Sequence, residues 1–502
     1  MLYRQKFNTF IRIYEKGRED AVGYIVNKNG FGDRVTEGSG AVFLAALSRK
    51  PKSLDGLTDE IALSFIDVDR SVLKQDLTDF YAILEEDGFI VSGQTPEELD
   101  RKDTRFSYSD IDPKTLHKNM MPLISRAKKS TQEYLKNFFK NKPHLTSLHI
   151  ELTSRCNESC VHCYIPHENK LHDIEPELFY GVLVQCREMG VLGITLSGGE
   201  PLIHKHFPDF LRKLKEYDFS ISIFSNLTLL NDDIITEMKD SRISGIHVSL
   251  YSMRPEIHDA ITKVPGSFFK TLDAILLLIK NNIPVTISCP TMKQNKDDYI
   301  GVLSWAREHR VRAVTDYIMM ARYDHTTDNL DNRLSLDEIE KLVGEIISND
   351  DKYQKELLSD SIGQNDQLDT GNDSVCVACM ISLCMVSNGN IYPCAGWQSY
   401  VCGNVKDTPL REIWERSEGI KYLRDLRKRD FPECLHCADK EFCSMCMVRN
   451  ANENQDMSAI GTLGDPLKIN KHFCKVAKLN RKIVLDWKKK LAATGKPSDG
   501  PV

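Results

Sequence analysis

The chain of 502 residues sets 66 Lys and Arg against 72 Asp and Glu, for a formal charge of −6 and a sequence pI of about 6.2. That balance argues against a dominant nucleic-acid footprint. The start, MLYRQKFNTFIRIYEKGRED, lacks the basic and then apolar segments of an export signal, and no apolar run approaches the ~20 residues that cross a bilayer. A soluble cytoplasmic protein of two to four domains, with no membrane or nucleic-acid partner, is expected.

Residues 1–95 read as one compact unit. FIRIYE and VGYIVN have strand character, with NKNG as a turn signal. Helical patterns follow in SGAVFLAALSRK, LTDEIALSF and VDRSVLKQDLTDFYAILEEDGFIV; the last stops at Gly88 and leaves FIV as a wing-like strand. Strands plus three helices predict a small winged helix. Its third helix carries Asp69, Asp76, Asp79, Glu85 and Glu86, which weakens a DNA-binding reading. Residues 96–145 predict a linker with one helix.

From 146 to 350 the pattern alternates. LHIELT, GITLSGGEP, SISIFSNLT, GIHVSLYS, IPVTISCPT and RAVTDYIMMAR read as strands separated by helices. Six such units imply a parallel sheet with right-handed crossovers, two short of a full barrel, so an α/β fold with a partial (β/α)6 barrel is expected. The loops after the strand C-termini should carry the chemistry. A polar connector around 350–374 opens the last region (351–480), and a basic helix and polar tail close the chain (481–502).

Fifteen cysteines are present, none before Cys156 and ten between Cys376 and Cys474. Clustering of this kind in a large chain without an export signal points to metal rather than disulfides. Cys156, Cys160 and Cys163 share one short loop after the first barrel strand. Three thiolates there can hold three irons of a [4Fe–4S] cubane and leave the fourth for a small chelating ligand. The alternative is zinc, with His162 or His167 completing the set. The next strand ends in Ser197-Gly198-Gly199-Glu200-Pro201, where two glycines let backbone approach a ligand and a carboxylate can meet an amino group.

C-x3-C-x2-C after strand one, followed by GGEP after strand two, resembles the radical S-adenosylmethionine (SAM) superfamily. The resemblance implies that Glu200 and the backbone of Gly198 and Gly199 bind the methionyl part of SAM. It puts His162 beside the adenine and Ser249 and Asn226 at the ribose; capping of loops is the competing role for the last two. It also implies cleavage of SAM to a 5′-deoxyadenosyl radical that abstracts hydrogen from a C–H bond, the protein supplying orientation.

Further on, the spacing Cys376-VA-Cys379, Gly389-NIYP-Cys394, Cys434-LH-Cys437-ADKEF-Cys443-SM-Cys446 and Cys474 resembles the SPASM extension of peptide-modifying radical SAM enzymes. The resemblance implies two auxiliary [4Fe–4S] clusters, making three in all. One would use Cys376, Cys379, Cys394 and Cys446, with Cys384 or an open position as alternatives to Cys379. The other would use Cys434, Cys437, Cys443 and Cys474. The Cys443–Cys446 spacing is one residue shorter than is common in that family, and a pair of zinc knuckles is the competing reading. Cys186 and Cys289 read as core thiols; Cys384 and Cys402 stay unassigned.

Fused to such an enzyme, residues 1–95 resemble the peptide-recognition element of ribosomal peptide maturases, which adds a leader peptide as a strand to a sheet edge. The implied partners are a precursor peptide and an electron donor such as flavodoxin or ferredoxin. VSLYSMRPEIHDAITKVPGSF is similar to the thioether-forming group. Carbon–carbon crosslinking, epimerisation and sulfatase-type maturation are alternatives, the last weakened by Ala395 where that group places an aspartate. A cluster-bearing redox protein without SAM chemistry and a redox-sensing winged-helix regulator are readings of other classes. No general acid or base is legible. Asp316 and Arg322, at and just beyond the last barrel strand, are candidate active-site groups, with surface salt bridging the expected role of each.

Overall fold

The computed structural model describes residues 1–103, 134–166, 172–349, 371–454 and 464–493, apart from 16, 19, 29–31, 136, 141 and 444, and also residue 354. Most of the expected 96–145 linker and most of the 350–374 connector, together with His167 and the polar tail, lie outside these residues.

The N-terminal unit builds two small antiparallel sheets around helices. Strands β2 (Thr9–Tyr14), β3 (Val22–Asn27) and β4 (Gly32–Glu37) form a meander in that order. Strand β1 (Leu2–Gln5) lies between β5 (Lys52–Ser53) and β6 (Ile90–Gly93). Helices α1 (Ser39–Ala46), α2 (Leu54–Ala62) and α3 (Arg70–Glu86) fill the space between them. Asp69 caps α3 by accepting the N–H groups of Ser71 and Val72, and Gly88 at φ 79° ends it in the left-handed conformation that glycine adopts without strain. Ile25, Leu44, Leu57, Leu77, Tyr81 and Phe89 form the core of this unit.

The six expected barrel strands form as β7 (Ser147–Thr153), β8 (Gly193–Gly198), β9 (Ser220–Ser225), β10 (Gly245–Ser249), β11 (Val285–Pro290) and β12 (Arg312–Asp316). All are parallel and paired in sequence order. Alternation sets their two faces: Leu148, Ile150 and Leu152 are buried against the helices, while His149 and Glu151 face the opposite way, into the barrel.

The sheet does not stop at the barrel. Strand β13 (Ser382–Met385) pairs in parallel with β7, Leu383 opposite Leu148, and β14 (Asn390–Tyr392) and β15 (Gly403–Asn404) extend the sheet in antiparallel fashion to nine strands. One continuous core accordingly runs from Leu148 through Trp397 and Met447 to Val476. The basic helix spans Lys471–Ala493 without a break at 480.

The N-terminal unit docks at the end of the barrel where the strands begin. The Arg12 side chain donates to the carbonyls of Val191 at 2.8 Å and Asp218 at 2.6 Å, and Arg49 pairs with the Asp218 carboxylate at 2.6 Å. Phe10 and Val26 pack on Leu192 beside them. Among the described residues, no helix is long and apolar enough to cross a membrane.

Candidate active site

At the opposite end of the barrel, the loop after β7 carries Cys156, Cys160 and Cys163. The Cys160 thiol lies within electrostatic reach of the other two, and the buried carboxylate of Glu158 accepts from it at 3.4 Å. The loop is pinned from behind. Asn332 Nδ2 donates to Val161 O at 3.1 Å, and Arg322, paired with Asp328 at 2.6 Å, reaches Cys163 O at 3.4 Å.

The two glycines after β8 have a structural reason of their own. A Cβ at Gly198 would sit 2.2 Å from Thr153 O, and one at Gly199 would sit 2.2 Å from Arg155 O and 2.9 Å from Cys156 Cβ. They let the end of β8 lie directly against the cysteine loop. Glu200 is fully buried. One of its oxygens accepts from Leu202 N at 3.0 Å and Ser225 Oγ at 2.7 Å, the other from Asn226 N at 2.7 Å. Burial raises its carboxyl to about 7 against these hydrogen bonds. The Asn226 side chain donates to Asn157 Oδ1 at 2.9 Å and so joins the cysteine loop to the end of β9.

His162 stacks edge-on against Tyr251, whose hydroxyl lies 3.4 Å from His162 Nε2 and 4.0 Å from Cys160 Sγ. Tyr251 also bonds Ser249 at the end of β10. His162 Nδ1 is buried with no hydrogen-bond partner among the described residues. The loop thus offers three thiols and an orphaned imidazole nitrogen beside a fully buried carboxylate, and these residues fit an iron–sulfur cluster with a chelating sulfonium ligand.

The barrel interior below is polar. His149 bonds Ser197 Oγ, and Phe224, 44% exposed, lies between His149 and His247 at ring distances of 5.9 and 4.8 Å. Glu151 is 4% exposed, accepts from Gln398 Nε2 at 2.9 Å and bonds Tyr164; burial raises its carboxyl to about 7. The buried Cys384 thiol lies within electrostatic reach of Glu151 and of Cys394. At the top of β12, Asp316 accepts Ile318 N–H at 2.8 Å, and burial raises its carboxyl.

The remaining thiols form two groups. Cys394 lies near Cys446, Cys376 and Cys379, while Cys434 lies near Cys443, Cys474 and Cys437. Cys186 and Cys289 are buried in the core. None of the fifteen cysteines is in a disulfide. Glu158, Tyr251 and Glu151 belong to this architecture without having been legible as site residues. The first lies inside the cysteine motif and the second two residues beyond Ser249, which is the signal each carried.

Comparison with known proteins accords with this architecture. Residues 150–306 match the radical SAM superfamily, and residues 376–438 match the SPASM iron–sulfur cluster-binding domain. The chain is a radical SAM enzyme. More particularly, it carries a SPASM domain behind the barrel, and with the two domains come iron–sulfur clusters and SAM. An AdoMet-dependent heme synthase of Methanosarcina barkeri is 26% identical over 60% of this chain and 90% of its own. The fold is shared with Streptococcus suis SuiB bound to precursor peptide SuiA (TM-score 0.56, 16% identity, 93% of this chain and all of that one). It is also shared with native anSMEcpe bound to AdoMet and the Cp18Cys peptide (TM-score 0.50, 16% identity, 70% of this chain and 99% of that one).

Proposed function

We propose that the enzyme matures a ribosomally synthesised peptide by an intramolecular crosslink, a thioether from cysteine to carbon being the favoured bond. The observation that carries this reading is the N-terminal unit, a separate core docked on a radical SAM barrel. Among the described residues its β4 pairs with β3 on one side only, which leaves an edge able to accept an extended leader peptide as an added strand. The likeness to a fold seen with a precursor peptide bound supports the same substrate class.

In this reading Cys156, Cys160 and Cys163 hold the first of three [4Fe–4S] clusters. Cys376, Cys379, Cys394 and Cys446 hold the second, and Cys434, Cys437, Cys443 and Cys474 the third. When bound, the first cluster and SAM supply a 5′-deoxyadenosyl radical. The protein's own part is placement. Glu200 fixes the ends of β8 and β9, and with the backbone of Gly198 and Gly199 it would hold the methionyl group. His162 would lie beside the adenine and Ser249 and Asn226 would meet the ribose, while His149, Phe224 and His247 line the barrel wall that the peptide would face. A flavodoxin or ferredoxin supplies electrons, and the enzyme works in the cytoplasm.

The test is anaerobic co-expression with each short reading frame beside the gene, followed by high-resolution mass spectrometry. Loss of two hydrogens mapped to one cysteine and one acceptor residue is the expected result. A loss mapped to two carbons would replace the thioether by a carbon–carbon bond. An unchanged mass on every peptide would overturn the crosslink and turn the reading to epimerisation, which leaves the mass unaltered, to protein substrates or to sulfatase-type maturation.

The heme synthase relative favours a second substrate, a porphyrin. Anaerobic incubation with an iron porphyrin bearing carboxylate side chains, read by mass, tests it directly.

A further inference from the structure

Cys379 has a backbone conformation that its side chain does not favour. It sits at φ 62°, in the left-handed region that non-glycine residues rarely occupy, at the turn leading into β13. The turn is closed by Cys379 N donating to Ser382 O at 2.9 Å. Its thiol is fully buried and, besides the thiols of Cys376 and Cys394 within its electrostatic reach, has two further groups beside it. One is the thiol of Cys402, which hydrogen bonds it. The other is the guanidinium of Arg424, which lies near both thiols. Arg424 is fixed by its Nε bond to Cys379 O at 2.6 Å and by packing 4.0 Å over the ring of Trp414. Its buried Nη2 has no hydrogen-bond partner among the described residues.

A ligating thiolate carries no proton. Against such a sulfur the only proton in the Cys379–Cys402 contact is that of Cys402, so Cys402 must be the donor. The buried cation adds to the same end, since an unpartnered guanidinium N–H next to a thiolate is satisfied by it. Hydrogen bonds to a cluster's sulfurs and nearby positive charge favour its more negative, reduced form.

We propose that Cys402 and Arg424 are positioning residues for the second cluster, which they hold at a higher reduction potential through the Cys379 sulfur. The inference rests on the reading of Cys379 as a ligand. It gives roles to two residues, one an unassigned thiol, that supply no ligand themselves.

The experiment uses the full chain with Cys156, Cys160 and Cys163 replaced by alanine, so that only auxiliary clusters contribute signal. Iron content and an EPR-monitored redox titration are compared for Cys402→Ala, Cys402→Ser, Arg424→Gln, Arg424→Lys and Cys379→Ala in that background. Expected for Cys402→Ala and Arg424→Gln is unchanged iron. One signal should shift to lower potential by at least a tenfold change in its reduced-to-oxidised ratio, about 59 mV for one electron. Cys402→Ser and Arg424→Lys, which keep a donor and a charge, should recover part of that shift. Unmoved potentials at full iron content would overturn the proposal. So would a loss of iron on Cys402→Ala, which would make Cys402 itself a ligand. Unchanged iron on Cys379→Ala would instead show that the ligand reading has failed. Should Cys402→Ala not fold, Arg424→Gln decides from the other side of the same sulfur.

Discussion

The Glu200 carboxylate and the backbone N–H of Asn226 are 2.7 Å apart, and through that bond the end of β8 is fastened to the end of β9. The same carboxylate holds Ser225 and Leu202. One buried side chain therefore fixes the spacing of the loops on which SAM is proposed to rest.

Glu200→Gln keeps the shape but sets an amide NH2 against N–H or O–H donors. Charged hydrogen bonds of this kind contribute about 1.5–3 kcal/mol each. The variant is expected to bind SAM at least roughly tenfold more weakly. Anaerobic equilibrium dialysis with labelled SAM measures it; unchanged affinity would count against the role assigned to this carboxylate.

Gly199→Ala drives a methyl into Arg155 O and Cys156 Cβ, both backbone-anchored. The expected cost is about 3 kcal/mol, the upper part of the overpacking range. Denaturant unfolding should show it, with reduced iron retention at the cysteine loop. A control at Gly181, where a Cβ meets nothing within 4 Å, should retain its iron.

Glu151 gives a pH dependence with a definite sign. Its folded-state value of about 7 lies above the ordinary 4.5 because burial disfavours the charge. The native state therefore holds its proton more tightly than the unfolded chain. The associated stability is complete below about pH 4.5 and is lost as pH rises through about 7, by roughly 3 kcal/mol in all. Glu151→Gln, which stays neutral, should flatten that part of the stability profile. Parallel profiles for the two proteins would show that Glu151 does not titrate in this window.

Arg12→Ala removes the buried side chain that donates to Val191 O and Asp218 O. Leaving those carbonyls and Asp218 short of their partner should cost about 3–5 kcal/mol. Limited proteolysis should then release the N-terminal unit from the barrel, while the barrel resists as before. Equal resistance of both would place the docking energy in Phe10, Val26 and Leu192 instead.

Replacing Cys156, Cys160 and Cys163 together by alanine should abolish 5′-deoxyadenosine formation while iron stays on the other thiol groups. Replacing Cys434 and Cys437 should spare some SAM cleavage and stop product formation. Persistent cleavage in the triple variant would overturn the cluster assignment.

The barrel was legible because its strands repeat one local pattern, an apolar alternating run and then a helix, and each pairs with its sequence neighbour. The cysteine loop and GGEP were legible because their chemistry lies within a few consecutive residues. What stayed hidden depends on partners far along the chain. The polar run Gly32–Glu37 is a strand only because Val22–Asn27 lies beside it. Lys52–Ser53 is a strand because Leu2 and Tyr3 lie opposite. Nothing near Ser382 announces that Ser147 will be its neighbour. Glu151 reads as an ordinary strand position until Gln398, 247 residues away, meets it. The glycines of GGEP were read as space for a ligand; that a Cβ on them would also meet Thr153 O and Arg155 O depends on a loop more than forty residues earlier and was not legible.

The pairing of β13 with β7 bears on how such a protein can be divided. The first barrel strand has β8 on one side and a strand from the cysteine-rich region on the other. A gene cut between the two regions would leave β7 with a row of unsatisfied amides and carbonyls and would strip the cover from Leu148 and Ile150. The catalytic barrel is therefore not a portable module. It can be exchanged between proteins only together with the segment that supplies its neighbouring strand, and a shortened version is expected to aggregate rather than to work more slowly.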